Sequence, residues 1–176
     1  MRIMGLDPGE TTGATIIDIP SHIVSIPLKS EISNWVQYAG ELENWFAIES
    51  LIKEFTPDVI VIEEFRLYAD KAKSKIGHDF PEVKIIGQIE MIAQQQNIPI
   101  HKQGAGVVKQ FYTDERLKSL NMWQSGQRHA RDAVRHALYF FDFNKKKVFN
   151  CNNCFTTKHK DICVSLGCNF TYKGVI

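Results

Sequence analysis

Long hydrophobic runs are missing from this sequence, and we expect no secretion leader at its start. No apolar stretch of the 176-residue chain approaches the roughly 20 residues needed to cross a bilayer. An acidic residue, Asp7, stands too close to the start for a signal peptide. We therefore expect a soluble protein that works in the cytoplasm.

Cysteine is absent from the first 150 residues, and repeats and low-complexity segments are absent throughout. Hydrophobic residues make up 44% of the chain and charged residues 23%, which are ordinary proportions for a globular protein. This composition excludes an intrinsically disordered chain, because there is enough apolar surface to offset the entropy of ordering. The length suits one domain of about 140–150 residues with a small appendage.

Acidic residues nearly disappear after position 143. Residues 144–176 contain one acid, Asp161, and six lysines, so they carry a formal charge of +5 and leave −4 on residues 1–143. We predict a domain over 1–143 and a basic tail over 144–176. An acidic body with a basic tail is typical of a metal-dependent enzyme joined to a polyanion-binding element, although many solvated tails look similar.

All four cysteines lie in that tail, at Cys151, Cys154, Cys163 and Cys168. The first pair forms a CxxC motif and the second pair follows at a workable spacing, so the pattern predicts a tetrahedral Cys₄ zinc site whose metal supplies the folding energy. His159 is an alternative fourth ligand. Two disulfides or unpaired thiols in a disordered end are the other interpretations, and a cytosolic location disfavours the disulfides.

Residues 1–143 have the pattern of a mixed α/β domain. Apolar and β-branched runs predict strands, apolar residues three or four apart predict helices, and the run Asp58–Glu63 is typical of a parallel strand buried on both faces. The order βββαβαβα plus a last helix resembles the ribonuclease H-like fold, a mixed five-stranded sheet with flanking helices. The predicted strands are 2–6, 14–19, 22–28, 58–63 and 98–101, and the predicted helices are 41–55, 82–96, 106–120 and 128–141.

Two strands end in acidic residues. Asp7 follows the first strand and precedes a Pro-Gly turn, which would leave its carboxylate free for a ligand, or it simply opens an Asx turn. Glu63 ends the buried run, where an ionised carboxylate is costly unless a cation compensates it. Because side chains alternate along a strand, only one of Glu63 and Glu64 should face Asp7. Both glutamates are solvated in the alternative interpretation.

The last predicted helix carries His129 and Asp132, which are three residues apart and so project from one face. Alone, the pair is explained by favourable interaction with the helix dipole. Together with the two strand-end carboxylates, it forms a hard, oxygen-dominated donor set that suits Mg²⁺ or Mn²⁺. Two such ions form the clamp for in-line phosphodiester hydrolysis.

Four motifs, in consistent order over residues 1 to about 142, resemble the RuvC-like Holliday-junction resolvases of the ribonuclease H-like superfamily. The motifs are Ile3–Gly9 with Thr12-Gly13, Pro57–Glu64, Gly104–Gln110, and His129–Ala133 with Ala137.

The resemblance implies a catalytic metal site. The four metal-binding positions of the family fall on Asp7, Glu63, His129 and Asp132, and the third of these is Asp in some members and His in others. Lys109 resembles a basic residue that contacts the region of the scissile phosphate, or else it is an ordinary exposed lysine.

The resemblance also implies a DNA-binding loop after Glu63, where family members carry an aromatic residue that meets the unstacked junction centre. Basic residues interleaved with aromatics are typical of a nucleic-acid surface, although a solvated loop has the same pattern. The candidate DNA-binding residues of this loop are Phe65, Arg66, Tyr68, Lys71, Lys73 and Lys75.

We expect a Mg²⁺-dependent endonuclease that resolves four-way DNA junctions as a homodimer, since symmetric nicking needs two sites related by a two-fold axis. Helix 82–96 occupies the place of the family's dimer helix, although its outward residues Lys84, Gln88 and Gln95 are polar. The cysteine tail departs from bacterial members and suggests a divergent, phage-borne relative, which would work in the host cytoplasm. The alternatives are a ribonuclease H-like nuclease on forks, flaps or RNA–DNA hybrids, and a non-catalytic junction-binding protein.

Overall fold

Two compact units make up the computed structural model, Met1–Phe143 and Asn144–Ile176. The structure describes residues 1–23, 25–27, 32–67, 77, 79–144, 147–151 and 170–175, with the backbone alone at 144, 147–151 and 170–175.

A mixed sheet of five strands forms the centre of the first unit, in the order β3-β2-β1-β4-β5. The first three strands form an antiparallel meander, whereas β4 pairs in parallel with both β1 and β5. The predicted mixed five-stranded sheet with flanking helices is therefore confirmed. The strands are β1 (Arg2–Asp7), β2 (Thr12–Asp18), β3 (Val36–Leu42), β4 (Val59–Glu63) and β5 (Ile100–Gln103).

Five α-helices flank this sheet in the described residues: α1 (Trp45–Phe55), α2 (Pro81–Gln95), α3 (Ala105–Phe111), α4 (Asp114–Ser119) and α5 (Arg128–Tyr139). A π-helical turn, Phe140–Asn144, follows α5, and a short 3₁₀ helix, Ser33–Trp35, precedes β3. Within the described ranges, no helix has the length and apolarity to span a membrane.

The two faces of the sheet are covered by different helices. Met4 and Leu6 of β1 pack with Ile48 and Ile52 of α1, and the same core includes residues of α2. The alternate residues of β1 face α5 on the other side, where Gly5 lies against Ala133. Because helices cover both faces, β4 is buried along its apolar length, as its continuous apolar run predicts.

The third strand of the meander is not where the sequence predicted it. The prediction of a strand over His22–Leu28 is wrong: residues 21–23 and 25–27 form a turn and irregular chain, and Val36–Leu42 is the third strand. The segment contains Pro27, which cannot donate to a ladder, and the backbone N–H of Ile26 donates to Asp142 instead (2.9 Å).

Several predicted boundaries shift, two of them because a side chain caps a helix. Helix α1 begins at Trp45 rather than 41, since the Asn44 side chain accepts from the N–H of Ala47 (3.1 Å). The predicted helix 106–120 is divided into α3 and α4, and Thr113 caps the second. The predicted strand 98–101 lies two residues later and ends at Gln103.

In the second unit, the described backbone forms an antiparallel pair of strands, β6 (Lys147–Cys151) and β7 (Phe170–Val175). The predicted zinc ligands Cys154, Cys163 and Cys168 lie outside the described residues, as does the side chain of Cys151. The zinc site therefore stays a prediction.

Candidate metal centre and nucleic-acid cleft

Strand register brings the predicted acidic residues to one edge and one face of the sheet. In the parallel pairing of β1 with β4, Gly5 lies opposite Val61 and Leu6 opposite Ile62, so Asp7 and Glu63 end neighbouring strands side by side. Leu6 and Ile62 face the α1 and α2 side, so by alternation Asp7 and Glu63 face α5. Glu64 instead forms an ion pair with Arg66 (2.6 Å).

Helix α5 can reach these strand ends because two glycines let it lie almost on the sheet. A Cβ atom at Gly5 would be 2.2 Å from the carbonyl oxygen of Ala133, and one at Gly13 would be 2.0 Å from that of His129. Both distances are impossible contacts, so each position requires glycine. The close approach sets His129 and Asp132 above the ends of the strands.

His129 contacts Asp7 directly. Its Nδ1 is 2.7 Å from Asp7 Oδ2, and its backbone N–H donates to the carboxylate of Glu41 on β3 (2.9 Å). A neutral imidazole that donates from Nδ1 keeps a lone pair on Nε2. Among the described residues, no group hydrogen-bonds to Nε2 of His129 or to Oδ1 of Asp7.

Lys109 of α3 lies between the other two carboxylates. Its Nζ is 2.9 Å from Asp132 Oδ2 and 3.6 Å from Glu63 Oε2. The side chain is 39% exposed, whereas the Asp132 side chain is only 5% exposed. Lys109 is thus paired with two carboxylates, and its predicted contact with the scissile phosphate stays a prediction.

Two buried basic side chains of α5 hold the same carboxylates from within the protein. Arg135 donates to Asp132 and to Asp114, and its Nε donates to the carbonyl of Tyr112 (2.7 Å), where α3 ends. His136 is fully buried, and its Nε2 is 3.1 Å from Glu63 Oε2.

The three carboxylates differ in how easily they ionise. Burial and the negative charge of Glu63 raise the pKa of Asp7 to about 6, and the contact with His129 offsets this only in part. Burial also opposes ionisation of Glu63, but the hydrogen bond from His136 and the charges of His136 and Lys109 outweigh it and lower the pKa of Glu63. The pKa of Asp132 is likewise lowered, because Lys109 and Arg135 outweigh burial.

The three carboxylates lie in one cleft of about 230 Å³. It is lined by Asp7, Pro8, Glu63, Glu64, Phe65, Glu82, Ile86, Lys109, Arg128, His129 and Asp132.

No group of three or more His, Cys, Asp or Glu side chains in the described ranges already has the geometry of a metal site. The donor chemistry nevertheless fits a divalent cation. Asp7 is buried beside a second carboxylate that opposes its ionisation, and a cation would remove that repulsion. The predicted magnesium ligands are thus close together: His129 contacts Asp7, and Lys109 lies between Glu63 and Asp132.

The predicted DNA-binding loop is described only at its start. Phe65 lines the cleft and its ring packs against Phe80, with 5.3 Å between centroids, while Arg66 is exposed beside Glu64. The other predicted residues of this loop lie outside the described residues: Tyr68, Lys71, Lys73 and Lys75.

Sequence reasoning missed four residues of this site: Glu41, Gln103, Arg135 and His136. Helical spacing contains a signal for two of them, because Arg135 and His136 are three and four residues after Asp132 and therefore on the same stripe of α5. A histidine in that pattern is read as a core residue unless the strand end opposite is known to be acidic.

Comparison with known proteins finds similarity at the level of the fold. No family model and no curated protein matches the sequence. Two structures of Thermus thermophilus RuvC match over 80% of this chain and 94% of theirs: one in complex with a Holliday junction substrate (17% identity, TM-score 0.57) and one of RuvC itself (16%, 0.59). Fowlpox virus resolvase with its substrate Holliday junction DNA matches 79% of this chain and 97% of its own, at 15% identity and a TM-score of 0.49. The protein therefore has the RuvC-like resolvase fold.

Proposed function

We propose that this protein is a divalent-metal-dependent endonuclease that hydrolyses phosphodiester bonds of branched DNA, with four-way junctions as its main substrate. The observation that carries the proposal is the convergence of Asp7, Glu63 and Asp132 from two strands and a helix into one open cleft. Clustered carboxylates beside phosphates serve a binding protein poorly, since they repel the DNA. They suit an enzyme that brings metal ions to the phosphate. The fold shared with RuvC supports the same choice.

In this proposal, Asp7, Glu63, His129 and Asp132 hold two Mg²⁺ or Mn²⁺ ions. Bound in pairs, such ions activate a water molecule and stabilise the leaving oxygen during in-line hydrolysis. Asp7 and His129 each have an atom without a partner in the described part of the chain, which leaves them able to act as ligands.

The protein's own basic side chains have separate duties. Arg135 and His136 are buried and stay with Asp132 and Glu63. The partly exposed Lys109 is free to leave the carboxylates and neutralise the scissile phosphate instead. We assign DNA contact around the cleft to Lys109, Phe65 and Arg66, and to Tyr68, Lys71 and Lys73 of the loop.

The tail is a second proposed DNA-binding element. Residues 144–176 carry +5, whereas residues 1–143 carry −4, so the tail supplies the positive charge that a polyanion attracts. We propose that its four cysteines hold a structural Zn²⁺ ion.

A homodimer is part of the proposal, and α2 is its contact helix. Val83 and Met91 are exposed on α2 and Gly87 lies between them at the same helical spacing, which makes an apolar stripe. Of the outward residues named from sequence, Lys84 and Gln95 are exposed but Gln88 is half-buried. Two-fold pairing through this stripe would supply the two sites that symmetric nicking needs.

Charge-neutral variants of the carboxylates test the assignment. Asp7→Asn, Glu63→Gln and Asp132→Asn should each abolish Mg²⁺-dependent cleavage of a synthetic four-way junction while junction binding is kept. Glu64→Gln is the matched control, because Glu64 is paired with Arg66 instead, and it should cleave nearly as well as wild type. A Glu63→Gln variant with near-wild-type turnover would remove Glu63 from the metal site. Junction binding without cleavage by wild type, in Mg²⁺ and in Mn²⁺, would favour the non-catalytic alternative.

A further inference from the structure

A buried histidine beside Glu63 has no part in the proposed chemistry so far. His136 lies on α5, one helical turn after Asp132, and its side chain is completely inaccessible to solvent. Its two ring nitrogens both have partners from the ends of neighbouring parallel strands. Nε2 is 3.1 Å from Glu63 Oε2, and Nδ1 is 3.0 Å from Gln103 Oε1.

The strand register explains why one imidazole reaches both groups. Glu63 and Gln103 are register partners at the ends of β4 and β5, so their side chains leave the sheet on the same face. Gln103 is itself buried, with 6% of its surface exposed. The imidazole is therefore held on two sides, by Glu63 and by Gln103.

The hydrogen-bond chemistry requires Nε2 to donate to Glu63. If the Gln103 oxygen accepts from Nδ1, a proton on Nε2 is still needed, because two lone pairs would otherwise face each other at Glu63. If the amide is turned so that its nitrogen donates to Nδ1, the neutral ring carries its proton on Nε2. Either orientation of Gln103 directs an N–H at the same carboxylate oxygen.

We infer that His136 is a positioning residue for Glu63, fixed by Gln103, and that it prepares this carboxylate to bind a divalent cation. The inference rests on the proposed function, since it concerns the same metal site. A hydrogen bond to one oxygen of a metal-binding carboxylate sets the direction of the other oxygen, and loss of such supporting groups typically costs 10–100-fold in metal affinity. In the described residues, Glu63 Oε1 has no hydrogen-bond partner and is the oxygen left for the metal.

Two substitutions of His136 separate its two contacts. Glutamine carries its amide nitrogen at about the place of imidazole Nε2, and asparagine at about the place of Nδ1. His136→Gln therefore keeps the donor for Glu63 and gives up Gln103, whereas His136→Asn does the opposite. If His136 serves only in packing, the two variants should have similar Mn²⁺ affinities.

The test is Mn²⁺ binding to the full chain by isothermal titration calorimetry, with folding checked by circular dichroism and thermal unfolding. His136→Asn should lower Mn²⁺ affinity by about 10–100-fold, and His136→Gln should stay close to wild type. Gln103→Leu removes the hydrogen-bond partner of the His136 ring and should also lower the affinity for Mn²⁺. If His136→Asn does not fold, Gln103→Leu tests the inference in its place. His101→Asn and His101→Gln are the controls, because His101 lies on β5 and contacts the ring of Phe140 instead (5.1 Å between centroids).

The outcomes are distinct. Wild-type chain that binds no Mn²⁺ contradicts the proposed function and, with it, this inference. Wild-type chain that binds Mn²⁺ while His136→Asn and Gln103→Leu bind it equally well contradicts the inference alone.

Discussion

Asp7 is a buried carboxyl group whose surroundings favour its protonated form. Its pKa in the folded protein is about 6, against an ordinary value of 3.8. The protonated form therefore contributes stability that is present at low pH and is lost as the pH rises through about 6. A bound cation removes this cost, so Asp7 links the stability of the protein to both pH and metal.

Asp7→Asn should therefore stabilise the metal-free protein, and more so at higher pH. We expect the free energy of unfolding in EDTA to exceed that of wild type by about 1–3 kcal/mol at pH 7.5, and by less at pH 4.5. Urea unfolding at the two pH values measures the difference. If the variant and wild type differ in free energy of unfolding by the same amount at both pH values, the pKa of Asp7 is not raised in the folded protein.

The ammonium group of Lys109 lies between the carboxylates of Glu63 and Asp132. Lys109→Met should remove the ammonium group between these two carboxylates, leave Arg135 as the remaining partner of Asp132, and lower the melting temperature in EDTA by about 2–4 °C. Mn²⁺ should then raise the melting temperature more in the variant than in wild type, because no ammonium competes for the carboxylates. Lys102→Met is the control, because Lys102 on β5 forms an ion pair with Glu90 on α2 instead. An equal response of Lys109→Met and wild type to Mn²⁺ would exclude competition.

At the scale of the elements, the site depends on how closely α5 lies on the sheet. Gly13→Ala and Gly5→Ala each introduce a methyl group within about 2 Å of a backbone carbonyl oxygen of α5, so they should destabilise the fold by at least about 1–3 kcal/mol. Gly106→Ala is the control: Gly106 lies within helix α3 with open space around it, so the substitution should stabilise by up to about 1 kcal/mol. Thermal unfolding of the three variants measures both effects, and a Gly13→Ala protein as stable as wild type would contradict the close approach.

The elements that carry the carboxylates were predictable, because their signals are local. A continuous apolar run indicates β4, and an apolar stripe three and four residues apart indicates α5. β3 was missed because Gln37, Gly40 and Glu41 weaken its strand pattern, while the β-branched segment before it is interrupted by Pro27. The partners of the carboxylates were beyond sequence reasoning for a different reason. His136 and Glu63 are far apart in the chain, and only the register of β4 with β5 brings them together.

At the scale of the whole molecule, the two compact units carry opposite charge. Deletion of residues 144–176 should leave the first unit folded, because α5 completes its sheet packing within residues 1–143. The loss of five net positive charges should weaken junction binding and flatten its dependence on salt, as fewer counterions are released from the DNA. Fluorescence anisotropy over a salt series measures this. Unchanged binding would mean that the tail contacts a protein instead of DNA.

The zinc prediction has its own measurement. Purified full-length protein should contain about one zinc ion per chain by elemental analysis, and Cys154→Ser should lose it. Cleavage at saturating DNA should survive this substitution, since none of the proposed magnesium ligands lies in the tail. Purified protein that contains no zinc, and whose four cysteines all react as free thiols, would contradict the prediction.

The most direct test of the central claim is to map the cuts that the wild-type chain makes in a synthetic four-way junction, beside three-way, flap and RNA–DNA hybrid substrates. A dimeric resolvase should make paired nicks at symmetry-related positions of the four-way junction, only with Mg²⁺ or Mn²⁺, and Asp7→Asn should make none. Preference for the hybrid over every branched DNA, or cleavage that continues in EDTA, would contradict the account.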